Sequence, residues 1–137
     1  MCVRVFLADD AVVMRKAIRS LLSNREDIVI IGEASSFRET IQTTAELYPD
    51  LIILDVSMVD RNHIELTETK HLLNGAKVLA ISFATDDRTK ELLDSVGAVK
   101  FLDKMKLADE LIPAILELAA AEQTLITSVL PEEFSGG

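Results

Sequence analysis

With Cys2 as its only cysteine, the chain cannot form an intramolecular disulfide. That usage fits a reducing compartment, and Cys2 itself reads as an unreactive residue near the start of a strand. Long apolar segments are missing at the front of the chain as well. The opening Met1-Cys2-Val3-Arg4-Val5-Phe6-Leu7-Ala8-Asp9-Asp10 closes its apolar run on two acids, too soon for a secretory core or a membrane span. A cytoplasmic protein with no membrane contact is expected. Positive charge is scarce too: the formal net charge is -9 and the pI is near 4.6. The average field therefore repels nucleic acid, and direct binding of nucleic acid is not expected of this domain. No internal repeat, low-complexity tract or interdomain linker is visible.

What is present suits one soluble domain. At 137 residues and 49% hydrophobic composition, the chain is long enough and apolar enough to bury one core, and too short for two. Apolar runs of strand length recur at Val3 to Ala8, Ile28 to Ile31, Leu51 to Leu54, Val78 to Ile81 and Val99 to Leu102. They lack polar alternation, as parallel strands covered on both faces do. Helical spacing fills the gaps, for example a stripe of Val13, Ala17, Ile18, Leu21 and Leu22.

Boundary signals agree with that alternation. Ser36 with Glu39 forms a capping-box pattern, Pro49 closes the segment ending at Tyr48, and Gly75 and Gly97 can cap the third and fourth predicted helices. A last helix is predicted from about Leu107 through Ala121, with Ile112, Ile115, Leu116 and Ala119 buried; Pro113 predicts a kink or a later start. The fold expected is α/β: a single doubly wound (βα)5 flavodoxin-like domain around a central parallel five-stranded sheet. The domain should span residues 1–122, with 123–137 a mobile tail.

Ligands of such sheets sit at the carboxyl ends of the strands, near the switch in strand order. Asp9 and Asp10 follow the first apolar run, and Asp55 ends the third. If those strands are neighbours, the carboxylates converge. Two unit charges about 4 Å apart repel by roughly 4 kcal/mol at an effective dielectric of 20, so the cluster needs a cation or raised pKa values. Mg2+ is the natural neutraliser, since it takes oxygen ligands and joins carboxylates to phosphate. Asp9 and Asp10 alone read equally well as an acidic helix start, and Asp55 alone as a solvated loop acid. Ser82 and Lys104, near the ends of the fourth and fifth runs, could serve a phosphorylated carboxylate as hydroxyl donor and counter-charge. Each by itself is more simply a cap or a solvated charge.

Taken together, four pieces resemble the response-regulator receiver family of two-component signalling over roughly residues 3 to 122. They are Leu7-Ala8-Asp9-Asp10, Pro49-Asp50-Leu51-Ile52-Ile53-Leu54-Asp55-Val56-Ser57-Met58, Leu79-Ala80-Ile81-Ser82, and Gly97-Ala98-Val99-Lys100-Phe101-Leu102-Asp103-Lys104. The resemblance implies that Asp55 accepts a phosphoryl group from a phosphohistidine. Asp10, Asp55 and the Ser57 backbone carbonyl would hold Mg2+, and Asp9 its waters. Ser82 would bond to the phosphoryl group, Lys104 would pair with it, and Phe101 would report the state as the switch aromatic. It implies as partners a sensor histidine kinase or phosphotransfer protein and a downstream protein target or output domain, with a homodimer left open. It implies no enzyme activity beyond self-catalysed phosphoryl transfer and autodephosphorylation.

Three positions depart from the family pattern. Val59 stands where Pro is usual, His63 where Gly is usual, and Met105 where a frequently cis Pro follows the Lys, which would move Lys104. These departures keep a second reading open, a degenerate receiver acting as a phosphorylation-independent interaction module. His63 and His71 read as surface or partly packed residues, without Cys or His partners at metal spacing. An aspartyl-phosphate phosphatase would want a second acid two residues after Asp55, where Ser57 stands. A flavoprotein is disfavoured because paired acids after the first strand oppose a flavin phosphate.

Overall fold

Five strands form one all-parallel sheet in the order β2-β1-β3-β4-β5. They are β1 (Val3–Ala8), β2 (Ile28–Ala34), β3 (Leu51–Asp55), β4 (Lys77–Ser82) and β5 (Ala98–Asp103). The computed structural model describes residues 2–59, 73, 75–84 and 86–120. The third predicted helix with His71, the predicted loop residue His63 and the predicted tail 123–137 lie outside the described residues. The central strands explain the unbroken apolar runs. Every residue of β3 is buried, as are Val5 to Ala8 of β1 and Val78 to Ser82 of β4, because helices cover both faces. At the sheet margins β2 and β5 are only partly covered.

Strand alternation sorts the core into two layers. Val5, Leu7, Ile53, Leu79 and Ile81 face α1 (Val12–Leu22) and the last helix, α4 (residues 107–120). Phe6, Ala8, Ile52, Leu54 and Ala80 face α2 (Phe37–Leu47) and α3 (Asp87–Val96), the fourth helix of the sequence reading. This is the expected doubly wound arrangement. Because β1 has β2 on one side and β3 on the other, the strand order reverses between them, and the carboxyl ends of β1 and β3 flank the switch point.

Local chemistry sets the helix ends. Ser36 Oγ accepts from the Glu39 N–H at 3.1 Å, as the capping pattern required. Helix α2 closes on Tyr48 in the left-handed region, φ 48°, just before Pro49. The Arg4 guanidinium stabilises that end by donating to the carbonyls of Leu47 at 2.8 Å and Tyr48 at 2.7 Å. Gly97, at φ 70°, caps α3 and donates to the Asp94 and Leu93 carbonyls.

Two helix faces differ from the sequence expectation. In α1 the buried line is Ile18 and Leu22 with Met14 and Leu21 partly covered, whereas Ala17 is exposed and Val13 is 80% exposed. Two apolar lines run side by side on this helix, and the sheet covers only one. In α4, Leu107, Leu111, Ala114 and Ile115 are buried, so the covered face is rotated from the predicted one toward Leu111 and Ala114. The helix starts at 107 and continues past Pro113 without a later start. Pro113 and Asp109, the residue whose carbonyl loses its intrahelical donor, are both exposed, so the proline sits on the helix's solvent side.

One irregularity bears on the site. The β1–β2 register runs Val5↔Ile30 and then Phe6↔Gly32, so Ile31 is an extra residue in β2. Gly32 meets the Phe6 ring so closely that an added Cβ would lie 2.9 Å from Phe6 Cε2 and from Leu47 Cδ1. A side chain there would force the bulge apart. Past it, Glu33 pairs with Leu7 and Ala34 with Ala8.

Candidate functional site

The switch point brings three carboxylates together. Oxygens of Asp9, Asp10 and Asp55 lie within 4.8 Å of one another, with Asp9 and Asp55 buried and Asp10 exposed. Neither Asp9 nor Asp10 lies in the first turn of α1, whose N-cap is Ala11. Asp9 Oδ1 instead accepts from the Ala11 N–H at 2.9 Å, a local turn that aims the other oxygen inward. Asp55 is 1% exposed, which disposes of a solvated loop acid. Its Oδ1 accepts from both the N–H and the hydroxyl of Ser57, at 3.0 and 2.8 Å, in the 3-10 turn that follows β3.

Lys104 completes the constellation. Its Nζ stands 2.7 Å from Asp9 Oδ2 and 3.1 Å from Asp55 Oδ2, with 6% of the side chain exposed. With Met105 rather than proline after it, Lys104 still reaches both buried carboxylates. Burial on its own would lower the Lys104 pKa, but hydrogen bonds and charge from Asp9 and Asp55 outweigh it and hold the pKa above the ordinary lysine value. One cation faces at least two buried anions. Asp9 Oδ2 is ion-paired with that ammonium at 2.7 Å and has no further partner among the described residues, so this buried oxygen keeps a lone pair open toward the cluster. An oxygen-only donor set with surplus negative charge and an open buried oxygen fits a hard divalent cation such as Mg2+.

The remaining predicted residues surround this centre without all touching it. Ser82, 3% exposed at the end of β4, accepts from the Ala84 N–H at 3.0 Å and keeps its own proton to donate. Beside it, an open cavity of about 490 Å³, lined in part by Ser57, Met58, Ser82, Ala84 and Thr89, separates the turn after β3 from the start of α3. Phe101 is half-buried against the layer that holds α2 and α3. Val59 is buried in that same layer.

Sequence reasoning passed over two contributors. The Phe83 ring lies under the Lys104 ammonium, 5.2 Å from Nζ to centroid, and is 60% exposed. An aromatic directly after a strand-end serine was the available signal. Arg15 donates to the Asp9 carbonyl at 2.7 Å, and its place beside the predicted apolar stripe of α1 gave no hint of that.

Comparison with known proteins gives a consistent picture. The family model described as the response regulator receiver domain matches residues 5–116. A protein-glutamate methylesterase/protein-glutamine glutaminase of Methanosarcina acetivorans is 31% identical over 144 residues, covering 97% of this chain and 41% of that protein. The response regulator protein VraR of Staphylococcus epidermidis is 34% identical over 132 residues, covering 95% of this chain and 63% of that protein. The chain thus spans about two-fifths to three-fifths of the length of these relatives. Among solved structures, the response regulator domain of Thermotoga maritima CheB aligns with a TM-score of 0.72 at 27% identity, over 85% of this chain and 96% of that one.

Proposed function

Because this chain belongs to the response-regulator receiver domain family, we propose that Asp55 is its phosphoacceptor, with a sensor histidine kinase or phosphotransfer protein as donor. The observation that carries the reading is the buried Asp55 carboxylate, held by Ser57 and Lys104 at the centre of an acidic cluster. In the transfer, an Asp55 oxygen attacks the phosphorus of a phosphohistidine as the P–N bond breaks. The electron pair leaves with the imidazole nitrogen, which takes up a proton, and Asp55 is left as an acyl phosphate. Lys104 stands where it can pair with the incoming charge, and Asp55 Oδ1 is already oriented by Ser57.

Asp9, Asp10 and Asp55, with the Ser57 carbonyl, are the residues that would hold Mg2+, which would supply charge neutralisation for the acids and the phosphoryl oxygens. The new negative charge on Asp55 gives the Ser82 hydroxyl a charged acceptor for its proton. Ser82 turns toward it, its loop follows, and Phe101 repacks; a target protein or output domain reads the altered surface of α3, β5 and α4. Among the described residues no helix is long and apolar enough to cross a membrane, which is compatible with the cytoplasmic setting such a pathway needs.

Amide NMR tests the switch against the phosphorylation-independent reading. With Mg2+ and either acetyl phosphate or beryllofluoride, the Ser82 and Phe101 amides should shift, and neither additive should suffice alone. A target-binding protein whose spectrum ignores both additives together would establish the degenerate module instead.

A further inference from the structure

The β2 bulge has a consequence for the acid turn. In a regular parallel strand, Ile28, Ile30, Gly32 and Ala34 would share the α1 face and Glu33 would point toward α2. The extra residue at Ile31 reverses the parity, so Glu33 pairs with Leu7 and rises on the α1 face. There it meets two arginines of α1: Arg15 Nε at 3.3 Å from Oε1 and Arg19 Nε at 3.1 Å from Oε2. Arg15 is 17% exposed and Glu33 25%, so the pair between them is well sheltered, while Arg19 is open at 48%.

The guanidinium that Glu33 holds reaches onward. Arg15 Nη1 donates to the Asp9 carbonyl at 2.7 Å, and the Asp9 N–H donates to the Ala34 carbonyl at 3.1 Å. Both sides of the Asp9 residue are thus tied to the end of β2, one directly and one through Arg15. With Oδ1 taken by the Ala11 N–H and Oδ2 paired with Lys104 at 2.7 Å, where the carboxylate stands in the cluster follows from where this turn is held. We propose that Arg15, held by Glu33 across the β2 bulge, is a positioning residue that fixes the acid turn for the divalent cation. The inference rests on the reading that Asp9, Asp10 and Asp55 hold that cation.

Position and charge make opposite forecasts here, which allows a decision. Arg15 brings a positive charge near the cluster, so as a field source alone its removal would tighten Mg2+ binding. As a brace, its removal loosens the turn; outer partners of metal ligands affect affinity by about 10- to 100-fold, and a main-chain brace belongs at the lower end. Arg15→Gln should therefore weaken Mg2+ binding about tenfold, read by titrating MgCl2 against the amides of Asp9 to Ala11. Glu33→Gln should weaken it less, and adding it to Arg15→Gln should change little, because both act through one contact. Chemical denaturation in the absence of Mg2+ runs alongside. A merely structural role would lower the unfolding midpoint and leave the dissociation constant of the folded protein unmoved. Unchanged or tighter binding by Arg15→Gln overturns the inference, and should that variant not fold, unchanged binding by Glu33→Gln does so. Wild-type protein that does not bind Mg2+ overturns this inference and the underlying reading together; wild-type binding with unaffected variants overturns the brace alone.

Discussion

Asp55→Ala should lose the labile phosphoryl adduct completely, where the wild-type chain acquires it on incubation with Mg2+ and acetyl phosphate. Intact-protein mass spectrometry reads the difference directly. The variant is informative because it should still fold. Lys104 keeps its partner at 2.7 Å in Asp9, so no buried ammonium is stranded, and among the described residues the other hydrogen-bond partner of the Asp55 carboxylate is Ser57, which is exposed. Removing Asp55 also relieves repulsion between two buried carboxylates, which offsets part of the lost hydrogen bonding. A persistent adduct on a folded Asp55→Ala protein would place the acceptor elsewhere.

The second large effect belongs to stability. Lys104→Met removes the ammonium that pairs with both Asp9 and Asp55, and breaking a buried pair from one side costs about 3–5 kcal/mol. Urea unfolding at neutral pH without divalent cations should show a loss of that order. Two further dependences follow from charge. Mg2+ should restore more stability to the variant than it adds to the wild type, since it replaces the missing cation. In the wild type the Lys104 pKa is raised on folding, so its contribution is complete below the ordinary lysine pKa and is lost as pH rises through the higher folded value. A variant as stable as the parent, and indifferent to Mg2+, would mean that the cluster does not carry the charge described.

The parts of the site that could be read from sequence are those where a polar residue ends a buried strand. Asp55 closes a five-residue strand with no exposed member, and Ser82 ends another in which only Lys77 escapes full burial. Asp55 has no solubility reason to be there, which made chemistry the stronger expectation for it, whereas Ser82 alone read more simply as a cap. Lys104 was harder, because a lysine two residues past an apolar run is usually solvated; its burial between two acids is a tertiary fact.

Other features were illegible for stated reasons. Parity arguments assign Glu33 to the wrong face, because one bulge residue reverses everything after it. Arg15 matters through a main-chain carbonyl, which no side-chain pattern records. Val13 and Ala17 shared the spacing of the true core line, and only the placement of the sheet decided between the two. Pro113 was an ambiguous signal, since a proline is tolerated in a helix when the carbonyl it orphans can reach water.

Everything proposed for this domain depends on a divalent cation lying among the ends of β1 and β3. Manganese, which takes the same oxygen ligands, reports its own position by broadening nearby amide resonances. At substoichiometric Mn2+, broadening should be centred on Asp9, Asp10, Asp55 and Ser57, fade with distance from them, and be reversed by excess Mg2+. Broadening centred on any other acidic region, with residues 9, 10, 55 and 57 still sharp, would contradict the account.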